Sequence, residues 1–564
     1  MNGATPPLDR LPNPNRPDEL AFLALGGVGE IGMNMSLYGY AGRWLMIDCG
    51  ITFADDTLPG IDVIMPDPGF IAARIDTLDG LVVTHAHEDH IGAIQYLWPQ
   101  LKCPVYATPF TAAVLRLKLI EAGLEHVVPI VEIPLSGRFK VGPFDIELVT
   151  LTHSIPEPNA VILRTPLGTI LHTGDWKFDA EPLVGEVSDY AALTRLGAEG
   201  VLAMICDSTN AMRPGEAGSE ADVKRSLIDL VGRCEQRVAV ACFSSNVARL
   251  TSIVAAARAH DRHVALVGRS LWRIEHAARE TGYLQGVPPF LTDEEASYLP
   301  RNKVLLICTG SQGEPRSALA RIAEDEHPNI VLEEGDTVIF SSRIIPGNDR
   351  AIGRLQNALA KLGVKIITEH DALVHVSGHP AQDELTRMYQ MVRPRIAVPV
   401  HGEHRHLMAQ ARLAEQCQVP QTIVTRNGEV VKLAPGPASV IGQVPVGRLV
   451  TDGKGLSDAA GPAVASRRRM VFNGAALATV VMDRGGRLLA PPQVTVEGLP
   501  EDESWASLSE RVAEAVASLN PGERLSDDKV REAARLAVRR ALKDWHGKKP
   551  VTQVHLVRIG KEAT

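Results

Sequence analysis

His85-Ala86-His87-Glu88-Asp89-His90 is the stretch on which the fold of this chain turns, because it sets at least four potential metal ligands within six residues. The apolar run Leu81-Val82-Val83-Thr84 precedes it and reads as a buried strand, so the ligands stand where that strand ends. Neutral imidazole and ionised carboxylate are the donors that hold zinc or manganese at neutral pH. Histidines two residues apart face the same way along an extended turn, which leaves Asp89 and His90 to serve a neighbouring ion. The competing reading is a polar loop that happens to be rich in histidine. With 18 histidines in 564 residues, three within six, interleaved with an acid, are an improbable accident.

Further ligand-type residues stand at other strand ends. Asp48 closes Trp44-Leu45-Met46-Ile47, His153 follows Leu148–Thr152, Asp175 follows Thr169–Gly174, and His401 follows Ile396–Val400. Any one of them alone would more often be an ordinary strand terminus or helix cap. Together and in this order, with His85, His87, Asp89 and His90, they resemble the ligand motifs of the metallo-β-lactamase superfamily. The resemblance implies a two-metal site. In it His85, His87 and His153 hold one ion, and Asp89, His90 and His401 the other. Asp175 bridges the two, and Asp48 stands behind them, orienting the ligands.

At 564 residues the chain exceeds a single core, and about three domains are expected. It is 45% hydrophobic and 22% charged, a soluble globular composition, and no apolar run reaches the roughly 18 residues of a membrane span. Residues 1–19 are rich in Pro, Asn and Arg without an apolar segment, and read as a flexible arm lacking a secretion signal. Seven dispersed cysteines with no CxxC pair read as reduced, buried thiols of a cytoplasmic protein. The net charge of −9 weighs against a simple backbone binder of nucleic acid, which usually carries a basic excess. A positive groove around metal ions can hide within that sum, so the charge decides nothing.

Short apolar runs, Gly-rich turns and a few amphipathic helices fill residues 20–206. The segment Leu23-Ala-Leu-Gly-Gly-Val-Gly-Glu-Ile-Gly32 looks like a phosphate loop, but a strand rather than a helix follows it, which excludes nucleotide binding of the dehydrogenase type. Residues 207–370 alternate strands, at Val238–Cys242, Val264–Val267, Val304–Cys308, Thr337–Phe340 and Val364–Ile367, with helices. That alternation predicts a mostly parallel sheet covered on both faces. Because His401 completes the metal site of the first domain, residues 371–435 return to that domain and 207–370 are an insertion over the site. Residues 436–466 read as a linker, and 467–564 as a small α+β domain with strands at Ala478–Met482, Val494–Val496 and Val551–Val557. Its helices are expected at Trp505–Leu519 and Asp527–Trp545.

Asp207, in Cys206-Asp-Ser-Thr-Asn-Ala211, ends an apolar run where the insertion starts, and His375-Val-Ser-Gly-His379 stands near its end, 22 residues before His401. Taken alone, the second motif would be a capped helix start. With Asp207 and His401 it resembles the three motifs of the β-CASP group, the nucleic-acid-processing branch of the superfamily. Four loops follow strands of the insertion: Phe243–Asn246, Gly268–Ser270, Thr309–Glu314 and Ser341–Asn348. Their Ser, Gly, Asn and Arg residues suit phosphate oxygens, and four on one side of a parallel sheet would form a rim.

The whole is similar to the ribonuclease J family. His85–His90, Thr173–Phe178, Cys206–Asn210, Pro346–Asn348 and Pro399–Glu403 carry the similarity, which spans Leu20–Pro435 by motif and the tail by architecture only. It implies an α/β fold: a metallo-β-lactamase αββα sandwich, an inserted α/β β-CASP domain and a small C-terminal α+β domain. It implies a two-metal phosphodiester hydrolase, with Zn2+ preferred over Mn2+ or Mg2+, that acts on single-stranded RNA as a 5′-to-3′ exonuclease and an endonuclease. Roles in rRNA processing and mRNA decay, and a homodimer or homotetramer, follow from the same resemblance. Asp175, Asp207 and His379 become the catalytic candidates, with His379 serving the transition state or the leaving 3′ oxygen. Substrate contacts fall to His375, Ser377, Gly378, Ser244, Ser245, Asn246, Arg269 and Ser270. A 5′-monophosphate pocket is expected at Ser311, Ser341 and Arg343. One departure stands out: many relatives carry histidine where this chain has Ala248, which puts the role of the Ser244–Asn246 loop in question. Alternatives are another β-CASP nuclease, acting on RNA 3′ ends or on DNA, and a non-catalytic RNA-binding scaffold. A lactamase or thioesterase lacks the long insertion.

Overall fold

The computed structural model describes residues 16–345, 347–501 and 503–560. Residues 1–15 of the expected N-terminal arm, and Pro346 of the Pro346–Asn348 motif, lie outside the described residues. Two compact units divide the chain. Residues up to Thr52 with Ile64–Gly447 form the first, and Phe53–Val63 with Arg448–Thr564 the second.

Six strands of the first unit matter most for the site: β1 (Arg43–Ile47), β2 (Leu78–Val82), β3 (Phe144–Thr150), β4 (Gly168–His172), β5 (Ala203–Asp207) and β6 (Ile396–Val400). An eight-stranded sheet runs in the order Ser439–Gln443, Glu429–Ala434, Leu20–Gly26, Met35–Tyr40, β1, β2, Val105–Ala107, Ile130–Glu132. A seven-stranded sheet runs Arg138–Val141, β3, Asn159–Thr165, β4, β5, β6, Gln421–Thr422.

The period-2 alternation of strand side chains decides where the cores lie. On β5, Ala203 and Ile205 join Phe22, Leu45, Leu148 and Val398 in one core shared by both sheets. Met204 and Cys206 join a second core, with Leu193 and Leu196 of helix Tyr190–Glu199 and Leu385 and Met388 of helix Gln382–Val392. Burying each large apolar side chain contributes roughly 1.5–3 kcal/mol, so a one-residue slip, which would turn the whole set over, is strongly excluded. The layers are helix, sheet, sheet and helix, as the motifs led one to expect.

β5 and β6 are parallel neighbours, Ala203 opposite Ile396 and Asp207 opposite Val400. Between them the chain builds a separate five-stranded sheet in the order His263–Val267, Val304–Cys308, Val238–Ala241, Thr337–Phe340, Lys365–Ile367, parallel throughout. All four loops expected to form a rim therefore leave its C-terminal edge. Its core pairs Ala241, Leu306 and Phe340 with Leu319, Ile352 and Leu355 from flanking helices.

Residues 436–466 depart from the linker expected of them. Ser439–Gln443 extends the eight-stranded sheet, Arg448–Asp452 and Gly455–Asp458 pair as a hairpin, and helix Pro462–Asn473 begins within the range. Every residue of Ser439–Gln443 is exposed, so this edge strand carries no apolar alternation for a sequence reading to find. The segment Phe53–Val63 belongs to the second unit, an association that sequence order hides.

In the second unit Ala475–Asp483 is the central strand, antiparallel to Gln493–Glu497 and parallel to Val551–Ile559. Its alternate residues Ala476, Ala478, Val480 and Met482 pack with Val512 and Val516 of helix Leu508–Ala517, and with Val530, Ala534, Val538 and Ala541 of helix Asp527–His546. The small-residue stripe of that long helix is internal core.

Candidate metal centre and its surroundings

The ligand-type residues all leave strand ends at one edge of the sandwich. Asp48 follows β1 and His401 follows β6, both in the left-handed region, with φ of 61° and 51°. That backbone is costly for residues other than glycine, and it recurs where a site fixes a side chain. Cross-links hold both turns. The Asp48 carboxylate accepts the Thr84 backbone N–H at 2.8 Å and the Thr84 hydroxyl at 2.9 Å, and the His401 N–H donates to the Gly27 carbonyl at 2.7 Å. Gly50 must be glycine, since a Cβ there would lie 1.7 Å from the Asp89 carbonyl oxygen.

Protons on the outward nitrogens fix which nitrogens stay bare. His90 Nδ1 donates to Asp48 at 2.7 Å, His85 Nδ1 to the Thr84 hydroxyl at 3.0 Å, and His153 Nδ1 to the Gly378 carbonyl. The Nε2 atoms of His85 and His153 are left without protons, and they lie 3.0 and 3.1 Å from Nδ1 of His87. One proton cannot serve both contacts, whereas three converging lone pairs are what a tetrahedral cation takes. Burial, reinforced by the neighbouring rings, holds the imidazoles of His85 and His153 well below their ordinary pKa. Burial likewise brings His87 down to about 4. The three rings are neutral at neutral pH.

The second group is built on carboxylates. His90 Nε2 lies 3.2 Å from Asp175 Oδ2 and 3.5 Å from Asp89 Oδ2, and His401 Nε2 lies 3.2 Å from Asp89. Burial opposes the charged form of His90, but Asp175, Asp89 and Asp48 outweigh it and raise its pKa; Asp175 does the same for His401. In each of the sets His85, His87, His153, Asp175 and Asp89, His90, Asp175, His401, one ligand atom per residue lies within 4.8 Å of the others. Asp175 belongs to both, and to a third group with Asp207, His379 and His401. Donor chemistry, burial and convergence fit divalent cations.

Asp207 and His379 stand beside this cluster. His379 Nδ1 donates to Asp207 Oδ2 at 2.8 Å, and Asp207 Oδ1 accepts the Thr209 hydroxyl at 2.7 Å. Burial would raise the Asp207 carboxyl, but the His379 charge and hydrogen bonds from His379 and His401 bring it down to about 2. Burial also works against the His379 imidazolium, and Asp207 and Asp175 more than offset it, so His379 holds a proton more firmly than a free histidine.

Models of known families cover the chain in four pieces. They are the metallo-β-lactamase superfamily over residues 28–231, the ribonuclease J β-CASP domain over 235–359, a Zn-dependent metallo-hydrolase RNA specificity domain over 347–422, and the ribonuclease J C-terminal domain over 462–559. Ribonuclease J of Sinorhizobium meliloti is 47% identical over 551 residues, spanning 96% of this chain and 98% of its own length. The chain belongs to the ribonuclease J family. Ribonuclease J of Mycobacterium tuberculosis is 41% identical over 543 residues, covering 95% of this chain and 96% of that one. The Thermus thermophilus enzyme is 38% identical over 473 residues, 82% of each chain. A crystal structure of an Enterococcus faecalis protein of unknown function shares the fold, with a TM-score of 0.51 at 16% identity over 73% of this chain and 100% of that one. Family membership makes this chain a metal-dependent ribonuclease of the β-CASP group.

The residues expected to touch substrate divide on inspection. Ser341 is buried, its hydroxyl donating to the Val374 carbonyl and accepting from Arg249, each at 2.7 Å. Asn246 caps helix Val247–Ala259, accepting the Arg249 N–H at 2.8 Å, and its amide donates to Glu220. Both side chains are committed to the fold rather than free for phosphate, a correction to the sequence reading. Gly378 makes room for the His153 ring, which a Cβ would meet at 2.7 Å. Ser377 accepts from Asn210 at 2.8 Å, while Arg269 and Arg343 are exposed, Ser244, Ser245 and Ser270 half-buried, and Ser311 buried. Ala248 lines a cavity with His153, Asp179, Glu220 and Tyr283.

Several functional neighbours escaped the sequence reading. Thr84 ties three site residues together, and Asn210 holds both the Ser377 hydroxyl and the His379 carbonyl. His172, at the end of β4, contacts the Tyr38 hydroxyl at 2.8 Å, and burial brings its pKa down to about 4. Of these only Asn210 left a signal, its place within Cys206–Asn210.

Proposed function

We propose that this chain hydrolyses single-stranded RNA with two divalent ions, zinc the best suited to its ligands. On this reading it removes nucleotides from a 5′-monophosphorylated end and also cuts internally, in RNA maturation and decay in the cytoplasm. The carrying observation is the convergence of ring nitrogens of His85, His87 and His153 beside Asp175, which a second buried group shares. Ions held there would supply Lewis acidity at the phosphoryl group and a water of lowered pKa. Asp48 and Thr84 keep His85 and His90 in the tautomer that presents Nε2. Asp207 orients His379 and stabilises its charged form, so that His379 can give a proton to the leaving 3′ oxygen or offset its charge.

A 5′-phosphate pocket fits the surroundings of His375. Its Nδ1 is buried with no hydrogen-bond partner among the described residues. Burial, then the positive field of Arg249, Lys177, Arg343 and Arg213, holds its pKa well down. A buried, unpaired ring nitrogen in a positive field suits an anion. With Ser341 committed elsewhere, Arg343, His375 and Ser311 are the pocket residues, and Arg213 joins them.

The test compares RNAs that differ only at the 5′ end. Monophosphorylated RNA should be degraded from its end faster than triphosphorylated RNA, and Arg343→Ala or His375→Ala should shrink the difference. A charged hydrogen bond is worth about 1.5–3 kcal/mol, roughly 10- to 100-fold in rate. Cleavage of a circular RNA should change little, because it has no end to bind. Equal rates on both ends with the parent protein would remove the pocket from this reading.

A further inference from the structure

The C-terminal stretch carries a charge that the whole-chain sum conceals, although Asp55, Asp56 and Asp62 of Phe53–Val63 bring the second unit as a whole to +1. Residues 448–564 hold 19 Lys and Arg against 15 Asp and Glu, a net of +4, while the whole chain stands at −9. Within this unit, helix Pro462–Asn473 buries a single side chain, Val464. Its last turns, Arg467-Arg468-Arg469-Met470-Val471-Phe472, face solvent, with Phe472 70% and Val471 73% exposed. An aromatic side chain left this open on a helix is unusual, because packing would ordinarily cover it.

The segment before the last strand brings more cations to the same place. The Lys549 N–H donates to the Asn473 side chain at 3.1 Å, and the Lys548 ammonium lies 3.6 Å from the centroid of the Phe472 ring. Arg467 is paired with Asp452. Arg468 and Arg469 donate to the backbone carbonyls of Thr57 and Ala465, and the Arg468 charge also acts on the Asp55 carboxylate, while no carboxylate within ion-pair distance is found for Arg469, Lys548 or Lys549 among the described residues. Lys548 thus stands over the exposed ring, with Lys549 next to it in the chain and Arg468 and Arg469 on the same last turns of the helix.

We infer that the last turn of this helix, with Lys548 and Lys549, is a further binding surface for single-stranded RNA, the cations holding phosphates while a base stacks on Phe472. The inference rests on the ribonuclease reading above, since it assigns this surface to the same class of substrate. Charge chooses between partners. A contact with a second copy would bring four cations against four cations, whereas an RNA backbone neutralises them and releases its counterions. Stacking on an exposed ring is sequence-tolerant and contributes about 1–3 kcal/mol per base.

The experiment uses the full chain in chelator, so that no cleavage proceeds, and follows fluorescence anisotropy of a long single-stranded RNA across salt concentrations. Phe472→Ala should weaken binding about 5-fold or more with little change in the salt slope, and Phe472→Tyr should restore it. Arg469→Ala with Lys548→Ala should weaken binding and lower the slope by about 1.4, two contacts' worth for a single strand. With metal restored, KM for long RNA should rise in these variants while kcat at saturation holds. Wild-type protein that neither binds nor cuts RNA would defeat the ribonuclease reading itself. Wild type that does both, beside variants with parental affinity and slope, would overturn this surface alone. So would variants whose only change is a smaller assembly in sedimentation, which would mark the patch as a contact between copies.

Discussion

Gly378 lies against the ring of His153 and offers its carbonyl to that ring's Nδ1, so the β-CASP motif directly positions a residue proposed as a metal ligand. Gly378→Ala would set a Cβ 2.7 Å from the ring, and either the ring or the His375–His379 loop must move. The expected outcome is metal affinity lowered about 10- to 100-fold, as for other residues that orient ligands, with little change in melting temperature. Dialysis against a zinc buffer with metal analysis would show it, and unchanged affinity would mean that the loop yields freely. For His379→Gln a different pattern is expected: both ions retained, and turnover down about 10²- to 10⁴-fold, the range for a lost proton donor. At this scale the cluster of donor residues was legible, because His85–His90 crowds its donors into one strand end. Asn210 stood within a motif, yet its role was hidden because its partners lie as much as 169 positions away, and Thr84 reads only as the end of a strand.

Among the elements, strands and helices of the inserted sheet could be read from alternation and length, yet the side chains that lock them together could not. Arg249 on helix Val247–Ala259 is fully buried and bonds Glu220 at 3.0 Å, the Ser341 carbonyl at 2.7 Å and the Val374 carbonyl at 3.0 Å. From the sequence it was one arginine among many in a helix. Removing one partner of a buried pair leaves the other charge stranded, at a cost of about 3–5 kcal/mol. Arg249→Ala should therefore lower the denaturation midpoint sharply, and with it the order of the Ser341–Arg343 loop. A loss under 1 kcal/mol in chemical denaturation would contradict that role. Ser439–Gln443 was illegible for the opposite reason, an exposed edge strand held by backbone pairing alone.

For the molecule as a whole, the insertion was legible because His401 lies so far along the chain from Asp89 and His90 yet joins the same donor group. The membership of Phe53–Val63 in the second unit was not, because no motif marks it. On the open face of the tail sheet Leu477, Val557 and Ile559 are exposed, apolar surface that a second copy would cover. Deleting Arg467–Thr564 should reduce a dimer or tetramer to monomers in sedimentation, and an unchanged assembly would rule the tail out as the contact. The account stands or falls on the metal centre. Protein stripped by chelator and titrated with zinc should bind two ions per chain, and hydrolysis of 5′-monophosphorylated RNA should return with them. Asp175→Ala, lacking the shared ligand, should neither hold both ions nor cut RNA, while its circular dichroism stays that of the parent. Near-normal RNA hydrolysis by metal-free protein, or by Asp175→Ala, would contradict the account.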